Sequence, residues 1–224
     1  MAKLQKSASG RGAKPQPRQR GRGWSPFMYI NPGGDTPGFS YGVLRRVYRG
    51  QACNVGASEF VRRKLYPIEA PPEGDWTQPF TCSRWDVLLP RSGSDEYMAP
   101  QRLLEGYQQH LLPWRQGLLC TIKVVQPLTE PLQSSYERIR LAARQAFALQ
   151  RDLPAVVVAH APFHAGIDAR MRQPHVHILV LASELSLLGW GAPNDEVTSD
   201  AGHLALYEEF TATDAIAWPF AANR

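Results

Sequence analysis

Apolar residues recur along this chain at two different spacings, and the spacings predict the elements. Pro26 to Asn31 (PFMYIN) is short, aromatic and apolar and stops at Pro32-Gly33-Gly34, which predicts a first strand with a turn behind it. Ser40 to Gly50 (SYGVLRRVYRG) has a Ser at its start, apolar Val43, Leu44 and Val47, and a closing Gly50, the pattern of a short helix that places Tyr41 and Tyr48 on one face. The next thirty residues are rich in Pro, Gly and charge and predict irregular structure, with Val61 to Leu65 ambiguous. Arg84 to Pro90 reads as a strand, and Pro100 to Leu112 as a helix with Leu103, Leu104, Tyr107 and Leu111 on its apolar stripe.

Leu118 to Gln126 (LLCTIKVVQ) alternates and is β-branched, so it predicts a third strand. Ser134 to Gln150 is the clearest helix, with Ser134 or Ser135 as its cap and an end before Pro154. Leu153 to Ala159 predicts a buried strand ending at His160, and Pro174 to Leu181 another after a polar loop. Beyond residue 183 the signals weaken to a loop over Gly189 to Asn194 and a helix around Leu204 to Phe210. No internal repeat is visible, and the order predicts one α+β domain, a mainly antiparallel central sheet with helices packed on one side. Its expected bounds are 24–182, with 183–224 as an extension packed on it.

Composition adds a tail to this picture. Residues 1–23 carry seven basic residues and no acidic one, so the net charge of +5 leaves the remaining chain slightly acidic, with 18 basic against 20 acidic residues. Gly, Pro, Gln and Arg dominate that tail, and we expect it to be disordered, either a cationic arm for a phosphate backbone or simply a solubilising terminus. No apolar stretch is long enough for a membrane span or a secretory signal, so the expectation is a cytoplasmic protein with no membrane partner. Three cysteines far apart, with no CxxC pair, predict neither a disulfide framework nor a zinc ribbon.

The chemistry concentrates in QPHVHILV. A strand alternates its side chains, so His175 and His177 project from one face about 6 to 7 Å apart while Val176, Ile178 and Val180 face the other way. Two imidazoles at that separation can share a metal ion. A hairpin-like pairing of 153–159 with 174–181 would bring His160 to them as a third ligand, with His164 in reserve. Without a metal, two such rings beside Leu179 and Leu181 would need hydrogen-bond partners. Softness alone admits zinc, iron, copper or nickel; Mg or Mn would need oxygens from water or substrate.

A strand ending in His, a loop, and then Pro-His-Val-His followed by aliphatic residues resembles the metal-binding motif of HUH endonucleases. The order resembles, more narrowly, the MobA/MobL relaxases that nick plasmid DNA for mobilisation. RRVYRGQ is similar to their tyrosine-bearing segment, RWDVLLP to the strand that follows, and AVVVAHAPFHAG to the strand with the first metal histidine; together the likeness spans about residues 24 to 182. It implies a metal-dependent nickase of single-stranded or supercoiled DNA at a transfer origin, working with accessory mobilisation proteins. His160, His175 and His177 would hold Mg or Mn. Tyr48, with Tyr41 in reserve, would attack the phosphodiester to leave a 5′-phosphotyrosine.

Arg45, Arg46 and Arg49, with Arg18, Arg20 and Arg22 of the tail, would meet phosphate. The sequence departs from that family at Gln173, where Asn is common, in the long loop from His160 to His175, and in the acidic segment after the motif. Two rival readings share the residues: a DNA- or partner-binding module of the same fold whose site has decayed, and a metal-dependent phosphodiester hydrolase. A histidine-triad nucleotide hydrolase would need a third His where Leu179 stands.

Overall fold

The longest apolar runs of the chain lie side by side at the centre of one sheet. We describe a computed structural model of the protein over residues 27–29, 38–48, 51–52, 55–126, 129–161 and 173–212. The sheet contains β1 (Phe27–Tyr29), β2 (Phe39–Arg45), β5 (Arg84–Leu88), β6 (Gly117–Val125), β7 (Ala155–His160) and β8 (His175–Leu181) in the order β1-β2-β6-β8-β7-β5. Every neighbouring pair is antiparallel. Two short ribbons accompany it: β3 (Val47–Tyr48) with β4 (Gln51–Ala52), and β9 (Ser183–Ser186) with β10 (Gly189–Pro193). The helices are α1 (Ala57–Leu65), α2 (Pro100–His110), α3 (Leu132–Ala143) and α4 (Asp200–Ala212). The fold is α+β, as the order of elements predicted.

Both faces of the sheet are covered, not one. Ile178, Val180, Val157, Ile122 and Tyr41 pack with Tyr136, Ile139 and Phe147 of α3 and its continuation and with Leu206 and Phe210 of α4. The alternate positions, Leu179, Leu181, Val156, Val158 and Leu119, pack with Phe60, Val61 and Leu65 of α1 and with Leu103, Leu104 and Tyr107 of α2. A strand buried on both sides reads as a continuous apolar run, and AVVVA and HILVL are such runs. The segment after residue 183 joins both cores, Leu185 on the α1/α2 side and Val197, Leu206 and Phe210 on the other.

Four elements differ from the periodicity reading. Over its described residues, 40–48, the stretch 40–50 is not a helix but strand β2 and the start of a ribbon. Val43, Leu44 and Val47 imitate helical spacing, yet Phe39, Tyr41 and Val43 alternate into one core while β2 lies between β1 and β6. Residues 57–65 form a real helix, supported by Glu59 reaching forward to Arg62 and Arg63 at 2.8 Å each. Gly189 to Asn194 is largely a strand, closing a hairpin whose turn places Gly189 at φ 100°. The long helix begins at Leu132 behind Pro131, with no serine cap, and widens into a π-helical turn over Arg144–Leu149.

Tyr41 is wholly buried, and its hydroxyl donates to the Val197 carbonyl at 2.6 Å, tying β2 to the segment before α4. Burial pushes its ionisation far above the ordinary phenol range. Replacing Tyr41 with Phe leaves that carbonyl without its donor, and we expect the urea midpoint to fall by the equivalent of about 1 to 2 kcal/mol. An unchanged midpoint would contradict this contact.

Candidate metal centre

The pairing of β7 with β8 sets His160 directly opposite His175 and Val158 opposite His177. Period-two alternation then puts all three imidazoles on the α1/α2 face at the end of the sheet. Their ring centroids lie 5.0, 5.0 and 4.9 Å apart, close to mutually perpendicular. One nitrogen from each ring lies within 4.8 Å of the others, a spacing at which the three can bind one metal ion. His175 and His177 are buried and His160 is partly exposed.

The hydrogen bonds around two of these rings fix which nitrogen faces inward. His160 Nε2 lies 2.8 Å from the Lys64 carbonyl at the end of α1, and His175 Nδ1 lies 2.9 Å from the Gln173 carbonyl. A carbonyl only accepts, so each of these nitrogens carries the ring's proton. Yet His160 Nδ1 and His175 Nε2 also face each other at 3.2 Å. With both rings neutral this is lone pair against lone pair, and the contact is favourable only with a cation between them, either a proton or a metal ion. Burial opposes the proton: it pulls His175 down to about 4 and His177 well below the ordinary imidazole range. Nδ1 of His177 is also buried with no hydrogen-bond partner. Carbonyl-oriented, neutral rings with inward lone pairs are the arrangement that metal-ligating histidines adopt.

The surroundings are cationic. Lys123, in register with His177 on β6, and Lys64 of α1 are the charges that act on the buried rings. Repulsion from them disfavours a protonated imidazole and favours an anionic ligand at the mouth. Sequence reasoning passed over both. A lysine inside the apolar run LLCTIKVV was a visible signal for the first, whereas the second depends on the unrecognised helix.

The other expected site residues do not gather here. His164, Arg49, Arg18, Arg20 and Arg22 lie outside the described residues. Arg46 donates to the carbonyls of Arg115 at 3.0 Å and Leu112 at 3.3 Å, and Arg45 to that of Thr198 at 3.5 Å, so both lace the far end of β6 to neighbouring loops. The Arg46 amide bonds to Gln116 just before Gly117, while His175 is opposite Val125 at the other end of β6. The backbone of Tyr48, two residues past Arg46, is thus separated from the trio by nearly the length of a strand, roughly 26 Å. Tyr41 belongs to the opposite face of the sheet. Tyr66, just after α1, is nearer, but its hydroxyl is engaged with the Gln78 carbonyl at 2.8 Å.

The fold is similar to a solved structure described as the molecular basis of vancomycin resistance transfer in Staphylococcus aureus. The TM-score is 0.55 at 14% identity, over 85% of this chain and 93% of that one. This chain shares that structure's mixed α+β fold, a central antiparallel sheet with packed helices. No protein-family model and no curated protein matches the sequence. Among the described residues no helix is long and apolar enough to cross a membrane.

Adding Mn to the apo protein at pH 7 should raise its melting temperature, with reversal by chelator and no response in a His175→Ala/His177→Ala variant. A second consequence follows from the depressed histidines. The unfolded chain takes up protons below about pH 6.5 whereas folded His175 resists until about 4, so apo stability falls as pH drops across that window. An apo urea midpoint that is flat from pH 7 to pH 4.5 would contradict the buried, neutral trio.

Proposed function

We propose that the protein is a metal-dependent enzyme that cleaves a phosphodiester bond in one strand of DNA, in the manner of plasmid or mobile-element mobilisation. The observation that carries this reading is the cation-demanding contact between His160 and His175 beside His177, on a relaxase-like fold. Mg or Mn fits a site where histidines supply only part of the coordination and phosphate oxygens supply more. A metal there would neutralise charge building on the phosphate in the transition state. The chain's own part is to hold the His160 and His175 rings in place through the Lys64 and Gln173 carbonyls, to hold His177 by burial, and to draw in the anion with Lys64 and Lys123.

The placement of Tyr48 favours a second reading for the attacking group. A tyrosine-linked product through Tyr48 requires the Val47–Ala52 ribbon to travel most of the length of β6. Water needs no such movement. Its oxygen would bond to phosphorus as the P–O bond to the leaving strand breaks, its proton passing to solvent, to give a phosphomonoester and a free hydroxyl. A DNA-holding module of the same fold is the remaining possibility, and it would show no turnover.

Supercoiled plasmid carrying a transfer origin, incubated with Mn, separates these outcomes. Nicking that disappears in His175→Ala/His177→Ala and persists in Tyr48→Phe without a protein-linked strand supports the hydrolytic route. A covalent adduct abolished by Tyr48→Phe supports the tyrosine route. Full nicking in the double histidine variant would contradict the metal-site reading altogether.

A further inference from the structure

β5 closes one edge of the sheet: β7 is its partner on one side, and among the described residues no strand pairs with the other. The ladder fixes which of its backbone groups are spare. The Leu181 amide bonds to the Pro154 carbonyl, so Val156, Val158 and His160 turn their amides and carbonyls toward β8, and Ala155, Val157 and Ala159 turn theirs toward β5. Arg84, Asp86 and Leu88 stand opposite those three and take up their groups. Trp85 and Val87 are left with amide and carbonyl pointing away from the sheet.

The side chains of β5 part to the two faces. Val87 belongs to the α1/α2 core and Leu88 to the α3/α4 core, so Trp85 lies on the first face and Arg84 and Asp86 on the second. A hollow flanks the strand on each face. On the α1/α2 face about 550 Å³ opens over Gln78, Pro79, Phe80 and Trp85, with Trp85 40% exposed and braced edge-on by Phe80 at 5.0 Å. On the α3/α4 face about 320 Å³ opens over Gln126, Leu132, Gln133 and Tyr136. Tyr136 is only 2% exposed, yet its hydroxyl has no hydrogen-bond partner. Charged side chains normally guard a sheet edge. Here both are drawn back onto α3, Arg84 to Glu137 at 2.8 Å and Asp86 to Arg140 at 3.0 Å.

We propose that β5 receives an extended segment of another protein as an added antiparallel strand, with a large apolar residue opposite Trp85 and, next in the segment, an amide- or hydroxyl-bearing residue opposite Arg84. An added strand sends successive side chains to opposite faces, and the two hollows lie on opposite faces. The first side chain covers Trp85 and Phe80 with apolar surface. The second supplies the acceptor that the Tyr136 hydroxyl lacks. The segment's own amides and carbonyls complete the ladder at Trp85 and Val87. Because both charges of the strand are already neutralised at α3, an uncharged segment fits. A second copy of β5 does not: centred on Trp85 it would set Asp86 opposite Arg84, and that carboxylate is bound to its own Arg140. Neither hollow is lined by the histidines, so the docking edge stands independently of the phosphodiester reading.

The test uses the full chain and the labelled peptide Lys-Thr-Val-Thr-Phe-Asn-Val-Thr-Lys, in which Phe would stand opposite Trp85 and Asn opposite Arg84. In the free chain the Trp85 and Val87 amides should exchange with deuterium much faster than that of Asp86, and the peptide should slow both. Methylating the Phe amide nitrogen of the peptide, which faces β5, should weaken binding roughly tenfold, whereas methylating the Asn amide nitrogen, which faces away, should leave affinity within about twofold. Replacing the peptide's Asn with Ala should weaken binding to the wild-type chain about threefold and leave binding to Tyr136→Phe unchanged. No binding at about 1 mM peptide, or equal sensitivity to the two methylations, would overturn the proposal. So would a Trp85 amide that already exchanges as slowly as that of Asp86 in the free chain. A dimer in sedimentation whose formation protects the Trp85 amide would assign the edge to a second copy and overturn it too.

Discussion

The antiparallel register of β7 on β8 sets His160 across from His175, and a slip of one residue would turn one of the two rings to the other side of the sheet. That register is held by burial on both faces. Val157, Ile178 and Val180 are fixed against α3 and α4, while Val156, Val158 and Leu179 are fixed against α1 and α2. The histidine cluster therefore inherits its precision from two hydrophobic cores rather than from its own contacts. The centre itself is costly: burying imidazoles whose inward lone pairs oppose each other destabilises the apo protein, and a bound cation removes that cost.

Helix α1 has a role that its short length conceals. Its last turn supplies the Lys64 carbonyl that orients His160, and the neighbouring Leu65 carbonyl accepts the amides of Thr81 and Cys82 at 3.1 and 3.0 Å. The same turn thus orients a ligand and anchors the segment leading into β5, the strand that carries Trp85. By contrast, the far end of β6 is closed by an arginine knot in which Arg115 donates to the carbonyls of Ala182 and Asn194. That end is built for rigidity, and the Tyr48 ribbon emerges from it.

The clustering of the three histidines was legible in the sequence because a strand's period is two: HVH after a proline and a strand ending in His160 bring three rings together once those strands pair. The position of Tyr48 in the fold was not, because it depended on reading 40–50 as a helix. Val43, Leu44 and Val47 satisfied helical spacing by coincidence, and only the alternation of Phe39, Tyr41 and Val43 carried the true signal. α1 was hidden within a Pro- and Gly-rich region and draws its stability from Phe60, Val61 and Leu65 packing on the sheet, a tertiary effect that local pattern does not record. The covering of both faces was announced by the unbroken apolar runs of β7 and β8, which one-sided packing would have interrupted with polar residues.

The central claim is that the contact between His160 and His175 is a metal position rather than a shared proton. A crystal grown at neutral pH and soaked in Mn, with anomalous scattering recorded, addresses this directly. The account predicts one strong anomalous peak bonded to His160 Nδ1, His175 Nε2 and one nitrogen of His177, with Lys64 and Gln173 still accepting from the outer nitrogens. Manganese bound elsewhere, with His160 and His175 still in direct nitrogen-to-nitrogen contact, would contradict it.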